Sequence, residues 1–236
     1  MDICLRQLSH INPWSAMRRS LFALVLFSVG VASAQPADCR HGLEALQANR
    51  PAEAIDPLSQ CLKQQLPARA RAFVLQARAN AYADMKEWAL AAEDQRQSTF
   101  EEKPKDAWPH IMLGAYLREA GRLDESLEAL RAAMQFDEDG PGSGPGMAVH
   151  YHTARTLHEM GRYSDAIEAM TSGIPKQPDY GYALYQRALS YEALGDRVQA
   201  KRDFFRAAEL VPKEGYEPKV AAKLIEYGFP VKVNPE

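Results

Sequence analysis

The sequence predicts an all-α fold: a right-handed α-solenoid of about five helical hairpins, closed by a C-terminal helix. Three observations predict it. A glycine corner between two apolar-periodic stretches recurs, as "EAGRLDESLEAL" (119–130), "EMGRYSDAIEAM" (159–170) and "ALGDRVQAKRDF" (193–204). Small side chains recur at matching positions around each corner. Prolines close several of the copies. A short hairpin cannot bury its apolar face alone, and stacking on a like neighbour meets that need.

With the frame anchored on Gly121, Gly161 and Gly195, units begin near Gln35, Ala72, Ala107, Met147 and Gly181. They span about 35–68, 72–105, 107–140, 147–180 and 181–214. Each contains two stretches with apolar residues at helical spacing. Mid-way through the first stretch stand Gly42, Ala79, Gly114, Ala154 and Ala188. Early in the second come Ala54, Ala91, Ser126, Ala166 and Ala200, and late in it Cys61, Ser98, Ala133, Gly173 and Ala207. Closely crossing helices need short side chains where their backbones approach. All fifteen positions satisfy that requirement. Leu58, Leu130, Met170 and Phe204 fill the slot between, with Gln95 the departure. Pro67, Pro104, Pro178 and Pro212 end units because proline cannot continue a helix. In the first two units Asn49 and Lys86 stand at the glycine corner.

Two segments lie outside this frame. "PGSGPG" (141–146) is a surplus between the third and fourth units, read as a surface loop or a hinge. "EPKVAAKLIEYGF" (217–229) offers Pro218 as a helix start and Gly228 as a stop. A terminal helix there, within residues 215–236, would cover the last hairpin.

The first 34 residues read as a cleaved secretory signal peptide. Arg18 and Arg19 precede an apolar run from Leu21 to Val31, and "ASA" (32–34) offers small residues before Gln35. A membrane anchor is the alternative, but a bilayer span needs about 20 apolar residues. Translation starting at Met17 would give a more usual leader. Asp38 stands where a lipoprotein signal wants a small residue, which disfavours a lipid on Cys39. The expected location is therefore periplasmic or secreted.

The whole chain has 236 residues, 46% apolar and 25% charged, with a net charge of −3. Loss of residues 1–34 removes one Asp and three Arg, leaving 25 basic and 30 acidic residues and a net charge of −5. That balance argues against nucleic acid, whose phosphates need a basic surface. Cys39 and Cys61 are equidistant from the "ANRPAE" corner (48–53), so an antiparallel hairpin places them face to face. A disulfide is geometrically natural there. Two packed thiols or a redox pair are the alternatives, although the wide spacing lacks the proximity that lowers a thiol pKa.

The stretches "LGAYLREAGRLDESLEALRAAMQFD" (113–137) and "YQRALSYEALGDRVQAKRDFFRAAELVP" (185–212) resemble the tetratricopeptide repeat (TPR) family in their glycine, alanine, aromatic and proline pattern. The resemblance covers about Gln35 to Pro212 and is strongest in the last three units. It implies a concave groove, lined by the first helices, that holds an extended peptide or helix of a partner protein. Helical phase then nominates Phe73, Gln76, Asn80 and Asp84 from the second unit, and Trp108, Ile111, Met112 and Arg118 from the third. The fourth supplies Tyr151, His152, Arg155 and His158, and the fifth Tyr182, Tyr185 and Gln186. Aromatics and arginine among amides suit peptide recognition. Some of these rings will pack between neighbouring units instead. Part of the family grips a C-terminal carboxylate with Lys, Asn and Arg. Here only Asn80 matches, while Met112 and Ala148 occupy further positions, so that specificity does not carry over.

Motifs for chemistry fail on inspection. "HEMGR" (158–162) lacks the second histidine of a zinc protease. Of His150, His152 and His158, only the first and last share a helix face, two turns apart. "FDEDG" (136–140) lacks the later ligands of a calcium loop. There is no G-x-S-x-G elbow and no phosphate-cradling glycine loop. The expected protein is a non-catalytic scaffold without cofactor or metal, binding a protein or peptide of the cell envelope. Two rivals stay open: a metal-binding or accessory subunit of an envelope enzyme using the fourth-unit histidines, and an architectural protein acting by self-association.

Overall fold

The computed structural model describes residues 37–136, 144–212 and 215–234. The leader reading (1–34), the acidic run 137–140 and the first half of the 141–146 loop lie outside the described residues. Eleven α-helices follow in order among the described residues. They are α1 (Ala37–Gln47), α2 (Pro51–Leu62), α3 (Ala68–Asp84), α4 (Trp88–Glu101), α5 (Trp108–Glu119) and α6 (Leu123–Ala133). Then come α7 (Met147–Glu159), α8 (Tyr163–Gly173), a 3-10 turn (Ile174–Lys176), α9 (Gly181–Ala193), α10 (Arg197–Glu209) and α11 (Pro218–Glu226). Consecutive helices pair as hairpins, giving the all-α solenoid arrangement with a terminal helix. No described helix is long and apolar enough to cross a membrane.

One backbone device ends the first helix of every hairpin. Asn49, Lys86, Gly121, Gly161 and Gly195 all have φ between 57° and 80°. Each donates its N–H to the carbonyl three residues back, and the next residue donates to the carbonyl five back. In the third hairpin these are Gly121 to Arg118 and Arg122 to Leu117, both 2.8 Å. This double bond pattern is the Schellman motif, which satisfies the last carbonyls of the helix. Asn49 and Lys86 thus do the work of the glycines. Gly228 ends α11 in the same way, at φ 85°.

All fifteen small positions are buried. Their geometry explains why. A Cβ on Gly42 would lie 2.6 Å from Leu58 Cγ, and one on Gly114 would lie 2.7 Å from Leu130 Cγ. The large residues Leu58, Leu130, Met170 and Phe204 are fully buried above these slots. Burying such a side chain stabilises by roughly 1.5–3 kcal/mol.

The chain divides into two compact bodies. The first comprises residues 37–105 and 115–122, the second residues 106–114, 123–136, 144–212 and 215–234. In the first, a disulfide joins Cys39 on α1 to Cys61 on α2, with the Cα atoms 4.9 Å apart. Their burial beside Leu43, Leu58 and Leu75 makes the bridge part of the core. Helix α3 starts at Ala68, a turn ahead of the unit start near Ala72, because extended Pro67 caps an Ala- and Arg-rich run of strong helix formers. Ser98 Oγ donates to the Ala72 carbonyl at 3.0 Å, so the hydroxyl in that slot has a partner.

In the second body, Ser126 Oγ donates to the Gly114 carbonyl at 2.7 Å and meets Thr156 Oγ1 at 3.0 Å. Asp196 caps α10 by accepting from the Gln199 N–H at 3.1 Å. Val220, Ala221 and Leu224 of α11 pack on Leu184, Phe204 and Ala207, covering the last hairpin's apolar face. Beyond α11 the tail returns: Tyr216 N–H donates to the Lys232 carbonyl and Asn234 N–H to the Tyr216 carbonyl.

Candidate functional site

The nominated groove residues separate into buried and accessible sets. Ile111, Arg118, His152, Tyr185 and Gln186 are buried. Ile111 packs with Ala133 and Val149, and half-buried Trp108 lies against the same cluster. Arg118 is 2% exposed and pairs with Glu119. Tyr185 stacks at a tilt on Phe204, 5.7 Å between centroids, and burial pushes its phenol up to about 12. Ile111 thus serves packing on the next hairpin through Val149, and Tyr185 serves packing within its own hairpin through Phe204.

In the first body, half-buried Phe73 packs against the core around Leu75. Asn80 Oδ1 accepts a 2.8 Å hydrogen bond from Tyr116, a fully buried ring 6.4 Å from Trp88. Gln76 is half-buried and Asp84 exposed. In the second body, Met112 is half-buried.

The half-buried residues of α7, α9 and the loop between α8 and α9 form a continuous aromatic face. Tyr151 meets Tyr180 edge-on at 5.5 Å, Tyr180 meets Tyr182 at 5.7 Å, and Tyr182 meets Tyr216 at 5.0 Å. The Arg155 guanidinium lies 5.7 Å over the Tyr151 ring, and the His152 ring meets Tyr151 edge-on at 5.5 Å. Tyr216 anchors the far end by donating to the Ala207 carbonyl at 2.7 Å. Gly181 permits this: a Cβ there would sit 2.0 Å from the Tyr216 hydroxyl. Burial pushes the Tyr180 phenol well above its usual range, helped by Tyr151 and Tyr182, so this hydroxyl is neutral. Its chemistry is π surface, hydrogen-bonding phenols and one cation.

His158 stands about two turns beyond Tyr151 on α7. Its Nδ1 shares a 3.0 Å hydrogen bond with Ser190 Oγ, and its ring meets Tyr163 at 5.1 Å. Burial holds its pKa below the ordinary histidine value. His150 is packed against the end of α8, where a Cβ on Gly173 would lie 2.5 Å from its Cβ. Among the described residues, no three of His, Cys, Asp or Glu are grouped to hold a metal ion.

Tyr180 and Tyr216 escape helical phase because both lie off the helices. The run "DYGYALY" (179–185) is the signal that could have found the first. A second feature also went unread. Arg78 holds Asp94 through Nε and Nη2 at 2.7 and 2.8 Å and reaches Ser59 Oγ at 2.8 Å. In the other body Arg187 does the same to Asp203 and Thr171. Each arginine ties its own hairpin to the helix before it.

These geometries define the class: the fold is that of tetratricopeptide-repeat proteins. A structure of MamA superposes with TM-score 0.61 at 21% identity, covering 72% of this chain and 93% of that one. MamA from Desulfovibrio magneticus RS-1 gives 0.63 at 16% identity, covering 75% and 97%. YrrB, a TPR protein with an unusual peptide-binding site, gives 0.60 at 14% identity, covering 87% and 98%. In sequence, the chain is similar to DnaJ homolog subfamily C member 3 of Homo sapiens and of Rattus norvegicus, at 27% and 26% identity over 121 residues. That match covers 51% of this chain but only 23% of those proteins. No family model matches.

Proposed function

We propose that the protein is a non-catalytic scaffold that docks an extended segment of a partner protein on the face built by Tyr151, Arg155, Tyr180 and Tyr182. The carrying observation is the ring ladder from Tyr151 to Tyr182 with the Arg155 cation over one end. Such rings offer large contact area at small entropic cost, and tyrosine and arginine dominate binding hot spots. Among the described residues the Tyr151 and Tyr180 hydroxyls make no hydrogen bond, which leaves them for a peptide backbone. Likeness to YrrB, a peptide-binding TPR protein, supports the same reading.

The working compartment we assign is the cell envelope or the exterior. The leader-like first 34 residues and the Cys39–Cys61 bridge support it, since disulfides persist in oxidising surroundings. The test is capture of partners from an envelope extract by the chain lacking residues 1–34, repeated with Tyr151, Tyr180 and Tyr182 each changed to Ala. Loss of about tenfold or more in retained partner is expected, the scale of a hot-spot residue. Undiminished capture by all three variants would overturn the assignment.

A further inference from the structure

We infer that α10 and the tail after α11 carry a second docking surface, for an acidic peptide segment bearing an aromatic or aliphatic side chain. It shares no residue with the tyrosine face. Arg197, Val198, Lys201, Arg202, Phe205 and Phe229 line an open depression of about 530 Å³. Val198 is 79% exposed and Phe205 50%. Phe205 and Phe229 meet edge-on at 5.6 Å and form an apolar floor.

Charge defines the occupant. Helix α10 also carries Asp203, Arg206 and Glu209, but these cancel or are used elsewhere. Asp203 is buried and held by Arg187, and Glu209 pairs with Arg206 at 2.9 Å. Arg197, Lys201 and Arg202 remain, all exposed, with no ion pair or side-chain hydrogen bond among the described residues. Lys201 and Arg202, with no carboxylate partner among the described residues, and Arg197, whose charge is felt by Glu192, therefore ring an apolar hollow on a chain whose net charge is −3. Unneutralised like charges on one helix face repel each other, and an anionic partner relieves that repulsion. The hollow selects the form of the anion. A concave floor of side-chain size accepts a protruding ring or aliphatic group, and the rim meets flanking carboxylates. A flat lipid surface would meet the rim and leave the floor unfilled.

The experiment is fluorescence anisotropy on the chain lacking residues 1–34. The probe is a fluorescein-labelled peptide of repeated Glu-Phe-Asp-Leu units, and the control replaces its acids with Gln and Asn. The acidic probe is expected to bind, with affinity falling as salt rises, and the control to bind at least about tenfold more weakly. K201E/R202E and, separately, Phe205→Ala should each lower affinity about tenfold, while Tyr151→Ala and Tyr182→Ala leave it unchanged. Lys201, Arg202 and Phe205 all project from the surface, so circular dichroism should show the variants folded. Several results would overturn the inference: no binding of the acidic probe, equal binding of the control, or equal binding by both α10 variants. Loss on changing the tyrosines would transfer the probe to the other face and overturn it too. So would binding confined to phosphatidylglycerol vesicles.

Discussion

Arg187 holds both carboxylate oxygens of Asp203, with Nε and Nη2 at 2.6 and 2.9 Å. Arg78 and Asp94 repeat the arrangement in the other compact body. Each guanidinium also lies over a tyrosine one turn on, Tyr191 at 6.0 Å and Tyr82 at 5.8 Å. Burial opposes the charge on Arg187, and the bond to Asp203 more than offsets it, so its pKa is raised. Removing one partner strands the other with little water. Asp203→Ala and Asp94→Ala should each destabilise by about 3 kcal/mol in urea titration, the usual result of breaking a buried pair. Asp203→Asn should cost less, because it keeps one acceptor.

The corners allow a cleaner backbone test. Lys86 has φ 61°, a conformation costing a non-glycine residue roughly 1–2 kcal/mol, partly offset by the entropy glycine loses on folding. Lys86→Gly should therefore raise stability by about 1 kcal/mol. Asn49→Gly should do less, since asparagine tolerates that region. Conversely, Gly161→Ala should lower stability by about 1 kcal/mol, although nothing lies within 4 Å of the added Cβ. Thermal denaturation of all three separates conformation from crowding.

Crowding is isolated at Gly173. It is an ordinary helical residue in φ, yet its Cβ would lie 2.5 Å from His150 Cβ and 2.9 Å from Met147 Sδ. A β-carbon sits close to the backbone and cannot swing away. Gly173→Ala should cost about 2 kcal/mol by the same assay, as overpacking does.

Histidines give the pH dependence. Burial lowers the pKa of His110, His150 and His158. The unfolded chain then binds protons at a higher pH than the folded one. Stability is complete above the ordinary histidine value of about 6.5 and falls as pH drops through the lowered folded values. Urea midpoints should decline on acidification through that window. His158→Gln, which keeps a partner for Ser190, should flatten the decline; an unaltered slope would remove His158 from the account.

Local spacing carried most of the fold. The small residues opposite Leu58, Leu130, Met170 and Phe204 recur because contact between two adjacent helices is set by sequence-near positions. The Lys86 corner was legible only through its glycine counterparts, since lysine alone signals no turn. The site was less legible. Helical phase placed Tyr151 and Tyr182 on a half-buried side, but could not tell that side from the fully packed one, where Arg118 and Tyr185 lie. The arginine clamps depend on three helices meeting, with Ser59, Arg78 and Asp94 far apart in the chain. No short window contains that information.

The bridge between Cys39 and Cys61 makes the protein sensitive to where it is manufactured. Material produced in a reducing host cytoplasm would carry two free thiols in the α1–α2 core, and the covalent form would require an oxidising host compartment or later air oxidation. The two preparations would have one sequence and different unfolding curves, so a laboratory comparing ligands across batches should settle the thiol content first.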